Sequence, residues 1–301
     1  MKKILFKNST VVSDLKRARI FQRKNTIILS NKTRDRNIKV LKDEKTGVIF
    51  IPKYKSNIKT HYQKKPISIF SKHSNTKLDN KIINLITLND DLRRFNFLKK
   101  KIKNKTLLDF GCGKGGFLKL SQKITKSVTG LEINRQILRY LSKRFKIYDD
   151  INNIDEKFDI VTLFHVLEHI PNQIETLQQI KKKLKKNGKL IIEVPHANDL
   201  LLNLKVFRNF TLWSEHLVLH TENSLSKFLK LAGYKINSVE YIQRYNFSNH
   251  LRWFLEGKPN GHIINQKIFE KNLIHYYDEF LIKNQLSDTI LITASDKKAR
   301  F

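Results

Sequence analysis

One stretch constrains this chain more than any other: Leu107-Leu108-Asp109-Phe110-Gly111-Cys112-Gly113-Lys114-Gly115-Gly116-Phe117-Leu118. An apolar run ends in a carboxylate, glycines cluster behind it, and an amphipathic segment begins with Phe117, Leu118 and Leu120. That order reads as strand, tight turn, helix. Glycine tolerates positive φ and lets a ligand approach the backbone, and a turn entering a helix presents N–H groups to a polar or anionic partner.

Gly111, Gly113 and Gly116 satisfy G-x-G-x-x-G, and Glu132 follows about twenty residues on, as a dinucleotide site requires. Asp109 separates this loop from that class. A carboxylate at the strand tip repels a pyrophosphate and attracts a cationic amino-acid group. The segment resembles motif I of the class I S-adenosylmethionine-dependent methyltransferases. The resemblance implies S-adenosyl-L-methionine as cofactor, with Asp109, Gly111, Cys112 and Gly113 in its loop.

Downstream, strand and helix patterns alternate. Ser127–Asn134 reads as a second strand carrying Glu132, placed to accept ribose hydroxyls, with Ile133 beside it; a charge at the start of the helix 135–143 is the alternative role. Phe145–Tyr148 reads as a third strand, and Asp149-Asp150 stand where the family often has an acid near the adenine. Phe158–Phe164 is a buried strand, and the resemblance puts Phe164 and His165 at the cofactor's border. Gln173–Lys186 has an apolar stripe of Ile174, Leu177, Ile180 and Leu184, with Asn187-Gly188 as its expected C-terminal stop. Lys189–His196 is a further strand. A helix ahead of the first strand is expected to start at a cap on Asn89 or Asp90. This order implies parallel strands with right-handed crossovers. The expected fold is α/β: a doubly wound, mostly parallel seven-stranded sheet, Rossmann-like, with Tyr234–Ile242 and 287–294 as an antiparallel last hairpin. The expected division is an N-terminal accessory region over 1–85 and a methyltransferase domain over 86–301, with 243–284 as a lid-like insertion rich in aromatic and polar residues, among them His250, Trp253 and His262.

His165-Val166-Leu167-Glu168-His169 matches H-x-x-E-H, a zinc-peptidase pattern. Pro171 denies it the uninterrupted helix that pattern needs, so no metal site is expected there. Near the N-terminus, Asp43-Glu44-Lys45-Thr46-Gly47 stands where many sugar and polysaccharide methyltransferases carry C-x-x-C-G; neither Asp43 nor Thr46 supplies a thiolate for zinc. Glu215-His216 and the Leu225–Gly233 helix, with Thr221 as its N-cap, resemble the same sugar enzymes. Methyl transfer then requires a group to take the acceptor's proton, for which histidine suits neutral pH. His216, His169 and His165 are the candidate catalytic bases, His216 first, with Glu215 as orienter or alternative base.

The remaining composition bounds partners. Of 301 residues, 40% are hydrophobic and 10% aromatic, enough for a sizeable core, and no apolar run reaches membrane-span length. The short run Ile4-Leu5-Phe6 ends at Lys7 and does not make a signal peptide. A lone cysteine, Cys112, excludes an internal disulfide and suits a cytoplasmic location. The net charge of +32 comes from lysines spread along the whole length, as codon drift in an AT-rich genome produces, with no arginine–aromatic patch. It leaves nucleic acid open as a partner, though not the favoured one beside a small-molecule substrate. A positive field drawing in an acidic substrate is a further reading. The expected activity is S-adenosylmethionine-dependent methylation of a sugar, nucleotide-sugar or polysaccharide precursor. An RNA methyltransferase and an inactive cofactor-binding subunit are the alternatives.

Overall fold

A computed structural model describes residues 9–54, 63, 77–261 and 271–297, with backbone alone over 77–88. His262 and the Ile4–Phe6 run lie outside them. In chain order the elements are α1 (Thr10–Arg17), β1 (Thr26–Ser30), β2 (Val40–Asp43), β3 (Ile49–Phe50), α2 (Lys77–Ile102), β4 (Thr106–Phe110), α3 (Gly116–Ser121), β5 (Ser127–Leu131), α4 (Arg135–Leu141), β6 (Lys146–Tyr148), β7 (Phe158–Phe164), α5 (Gln173–Lys182), β8 (Leu184–Pro195), α6 (Lys205–Thr211), β9 (Val218–Leu219), α7 (Glu222–Leu231), β10 (Tyr234–Ile242), α8 (Phe247–Glu256), α9 (Lys271–Lys283) and β11 (Thr289–Asp296).

Seven strands form one sheet in the order β10-β11-β8-β7-β4-β5-β6. β4 pairs in parallel with both β5 and β7, and β5 with β6, while the last two strands make an antiparallel hairpin at the edge. This is the expected Rossmann-like arrangement. Reversal of strand order on either side of β4 opens a crevice at the strand C-termini, where ligands bind in such sheets. Leu107, Leu108, Val161, Leu163, Leu190, Ile191 and Ile192 are fully buried within it, which explains their near-continuous apolar runs.

The chain divides into two compact units. One comprises Met1–Tyr54, Leu167–Leu177 and Glu193–Thr293; the other comprises Lys55–Val166, Gln178–Ile192 and Ala294–Phe301. We call them the histidine unit and the glycine-loop unit after the groups described below.

In the histidine unit the N-terminal strands do not stand alone. A second sheet runs β1-β2-β3-β9, with Ile49 opposite Leu219 and Phe50 opposite Val218. Its core includes Val40, Ile49, Ile51, Leu202, Leu212 and Leu219. The turn after β2 is closed by side-chain bonds. Asp43 is buried, and its Oδ1 accepts from the Thr46 amide (3.0 Å) and hydroxyl (2.8 Å). The two residues standing at the cysteine positions close the turn by bonding to each other.

Two boundaries correct the sequence reading. α2 starts at Lys77, more than two turns before Asn89 and Asp90, so neither caps it. α5 stops at Lys182, and β8 begins at Leu184. Asn187-Gly188 therefore sits inside a strand rather than at a helix end. The Phe158 amide donates to the Lys183 carbonyl (2.8 Å), a bond between distant segments that outweighs the local turn preference. At the other helix, Thr221 caps α7 as expected, with Ser224 completing a capping box.

Candidate functional site

The glycine-loop unit gathers carboxylates at its strand ends. β4 and β5 run in register, so Asp109 lies opposite Gly130 and Phe110 opposite Leu131. The loop after β4 is stitched to the end of β5: the Gly111 and Cys112 amides both donate to the Leu131 carbonyl, at 2.8 and 3.0 Å. Glu132 follows immediately. Its Oε2 accepts from the Gly113 amide (3.0 Å) and its Oε1 from the Asn134 amide (2.7 Å). A carboxylate offers about four acceptor positions, so two amides leave capacity for ligand hydroxyls. The cap of α4 is Asn134, accepting from Gln136 and Ile137, and Glu132 bonds the amide of that cap, so its carboxylate also stands at the start of the helix.

Asp109 is 3% exposed and accepts from the Thr162 hydroxyl at 2.7 Å. Burial pushes its pKa up to about 7, against the Thr162 bond, and nearby Asp91 and Glu132 push the same way. Glu132 is also shifted upward, first by burial. Asp91 and Arg94 come from α2, both nearly buried and 3.6 Å apart. The Arg94 guanidinium also stacks on Phe164, 4.8 Å from the ring centroid. Three carboxylates against one guanidinium make this pocket of charge locally acidic in a chain of net charge +32. A cationic ligand relieves such a group.

Two glycines divide the loop's work. Gly111 has φ +76°, and a Cβ there would come within 2.4 Å of Val166, so packing forbids a side chain. Gly113 has φ +51°, and a Cβ would meet nothing within 4 Å. The first holds the turn against β7's exit; the second leaves an open face beside Glu132. Cys112 differs from its neighbours. Its thiol is buried with Leu118, Ile137 and Leu141, and burial pushes its pKa far up, so only its backbone is available to a ligand. His165 has φ +53°, a strained conformation for a non-glycine residue, directly after β7. Ile133 is half-buried beside Glu132, and Asp150 spends a carboxylate oxygen capping the turn at 151–153.

The histidine unit holds the second group. The Leu217 amide donates to the Glu168 carbonyl (2.7 Å), joining the segment after β7 to the one before β9. This brings His169 and His216 within 5.0 Å, ring centroid to centroid. His169 Nδ1 donates to the Glu215 carbonyl at 3.0 Å. Glu215 therefore orients His169 through its backbone. The N-terminal loop secures the same segment: Asp35 accepts from the Ser214 amide (2.9 Å) and hydroxyl (2.6 Å), and Arg34 covers Phe210 and Trp213. Burial pushes the Asp35 carboxyl up, but the bonds from Ser214 and Thr33 prevail and hold it below the usual range.

The sequence reading missed Thr162, Asp91, Arg94 and Asp35. The first three sit inside regular elements without a motif, and Asp35 lies far from the segment it braces. Thr162 leaves one sequence signal, a polar residue in an otherwise buried strand; the other three sit in polar stretches that mark none of them.

Residues 82–239 match the family model described as a methyltransferase domain. The chain belongs to this methyltransferase family. An uncharacterized protein of Methanocaldococcus jannaschii is 31% identical over 169 residues, covering 52% of this chain and 71% of that protein. The ubiquinone biosynthesis O-methyltransferase of Hydrogenovibrio crunogenus is 28% identical, over 38% of this chain and 53% of its own length. Among solved structures, magnesium protoporphyrin IX methyltransferase from Synechocystis, with SAH bound, covers 79% of this chain and 97% of its own at 13% identity and TM-score 0.52. At that identity the likeness speaks for the fold alone. Among the described residues, no helix is long and apolar enough to cross a membrane.

Proposed function

We propose that the glycine-loop unit binds S-adenosylmethionine and that the protein methylates a small-molecule acceptor. The observation that carries this reading is the pair of buried carboxylates, Asp109 and Glu132, at the ends of adjacent parallel strands around the open face at Gly113. Asp109 faces the cationic amino-acid end, and Glu132 takes the ribose hydroxyls with the capacity its two amide bonds leave. The backbone of Gly111, Cys112 and Gly113 lines the bend. Ile133, Phe164 and His165 border the nucleoside, and Asp150 lies toward its base. When bound, this cofactor supplies a methyl group already activated on sulfonium.

The chain's own task is to hold the acceptor and take its proton. We assign proton removal to His216, with His169 as the alternative and Glu215 as the orienting residue. Residues 243–284, including α8 and α9, are assigned to acceptor recognition. For the acceptor we favour a sugar, nucleotide-sugar or polysaccharide precursor, on the likeness of the 213–225 segment and the positive net charge. The quinone O-methyltransferase relative makes a ring hydroxyl the competing acceptor.

Calorimetric titration with S-adenosylmethionine tests the first half. One site per chain is expected, abolished in Asp109→Ala and in Glu132→Ala; unchanged binding in both rejects the assignment. Transfer of a labelled methyl group to nucleotide-sugars and oligosaccharides, against a panel of phenols, tests the second. Labelling of phenols alone overturns the sugar reading.

A further inference from the structure

The H-x-x-E-H segment carries more than its sequence pattern indicated. A metal-binding helix was not expected, and none forms: Leu167–His169 is a single short turn. The fold supplies the third group from elsewhere. Glu168, His169 and His216 bring one carboxylate oxygen and two imidazole nitrogens within 4.8 Å of one another.

Three features make this a coherent donor set. Glu168 is 1% exposed, and its Oε1 lies 3.8 Å from His169 Nε2. The Glu215 carbonyl can only accept, so His169 carries its proton on Nδ1, leaving the Nε2 lone pair on the side facing Glu168. Metal-bound histidines are commonly fixed this way, by a carbonyl on the far nitrogen that sets tautomer and ring orientation. Finally, both imidazoles are half-buried, so the group keeps an open side for a further ligand. Its segments are joined by the bond from Leu217 to Glu168 and braced by Asp35.

We propose that Glu168, His169 and His216 bind a divalent transition-metal cation. Two imidazoles and a carboxylate favour zinc, manganese, iron or cobalt over magnesium or calcium, which prefer oxygen throughout. At metal–ligand distances of about 2.1 Å, tetrahedral ligand atoms stand roughly 3.4 Å apart. The three atoms lie within 4.8 Å of one another and His169 is held at its far nitrogen, so cation binding requires His216 to move toward the other two. The open position would be available to an oxygen ligand, and a hydroxyl held there would give up its proton more readily. The cation thus takes over the task assigned above to His216, whose lone pair it occupies. Metal binding itself rests on neither the acceptor nor the cofactor reading.

The test is titration of the full-length chain with zinc and with cobalt, without cofactor or acceptor. One cation per chain is expected, with affinity lowered at least about tenfold in His216→Ala and His169→Ala, the lower end of what even supporting residues of metal sites cost. His216 is half-buried, and its variant should keep the metal-free melting temperature while losing the metal-induced rise in it. The visible spectrum of bound cobalt should change in Glu168→Gln, which keeps the side-chain shape. His275→Ala, removing a histidine paired with Glu279 on α9, should bind as the parent does. Binding undiminished in both His216→Ala and His169→Ala, or no stoichiometric binding by the parent, overturns the proposal. Failure of S-adenosylmethionine binding alone leaves these results unaffected and bears only on the cofactor assignment.

Discussion

Burial shifts carboxylates upward in both units, in the histidine unit Asp199 to about 8 and Asp278 to about 6, but only the histidine unit also shifts buried imidazoles among the described residues. The glycine-loop unit buries carboxylates and shifts them upward: Asp109 to about 7, Glu132 in the same direction. The histidine unit buries imidazoles and shifts them downward: His196 to about 4, His220 to about 3 and His250 to about 4, each chiefly by burial. In both, low dielectric penalises the charged form. The difference lies in what each group awaits. A buried acid with an open glycine beside it is completed by a cation. The buried imidazoles are already satisfied as neutral groups: His220 Nε2 donates to Gln173 at 2.7 Å, and His196 Nδ1 to the Ser287 carbonyl at 3.0 Å. In the proposed reading a ligand completes the first group, whereas the imidazoles are paired as neutral groups within the fold.

The largest expected effect breaks the first side of that contrast. Removing one partner of a buried charge pair costs about 2–5 kcal/mol, so Asp109→Ala should weaken S-adenosylmethionine binding by roughly 30-fold to more than 1,000-fold. Calorimetry reads this directly. The same carboxylate predicts a pH profile. A cationic ligand needs Asp109 ionised, so affinity should rise by up to about tenfold per pH unit below about 7 and level off above it. A flat profile between pH 5.5 and 8 would remove Asp109 from contact with the ligand's charge.

Stability without ligand should carry both signs. The folded chain holds a proton on Asp109 that the unfolded chain has released, so this group destabilises the fold as pH rises from about 4 to 7. The imidazoles act oppositely. Unfolded histidines near 6.5 take up protons that the folded ones refuse, so their contribution is intact above about 6.5 and lost as pH falls toward 4 and below. In urea denaturation from pH 4 to 8, Asn or Gln replacements at His196 and His250 should lose less stability on the acid side than the parent, by a few kcal/mol. The opposite contribution of Asp109, Asp199 and Asp278 is shared by parent and variants. Loss of similar size in those variants would mean that other groups govern acid lability.

Two glycine variants sharpen the division within the loop. Gly111→Ala meets Val166 and should lower the melting temperature, by more than about 2 kcal/mol of stability. Gly113→Ala meets nothing, so only its left-handed backbone is strained, at about 1 kcal/mol; its main effect should fall on ligand affinity. The smallest effect belongs to Thr162→Val, which removes one hydrogen bond from Asp109, worth about 1 kcal/mol. Asp109 should then ionise later, moving the midpoint of the affinity profile to higher pH.

Much of the glycine-loop unit was legible because its signals are local. Strand Phe158–Phe164 falls where the apolar run placed it, and the Asp109, glycine and Glu132 spacing survives intact at the ends of two paired strands. The reading failed where a distant partner decided. Asn187-Gly188 looks like a helix stop, yet pairing along β8 draws it into the sheet. Asp91 and Arg94 are ordinary helix residues until α2 is placed, when a Cβ on Gly116 would sit 2.0 Å from Asp91. Likewise, nothing local marks Ile49-Phe50 as the neighbour of Val218-Leu219.

The sequence by itself determined the alternation of strands and helices, the sheet class, and the two acids flanking a glycine bend. These depend on periodicity and on backbone freedom, which act over a few residues. Only the tertiary structure decided that Glu168 and His169 meet His216, that Asp35 braces that segment, and that Asp43 and Thr46 bond to each other across their turn. Such meetings join groups through burial and long-range hydrogen bonds, whose partners are set by the packed fold and leave no spacing along the chain to read.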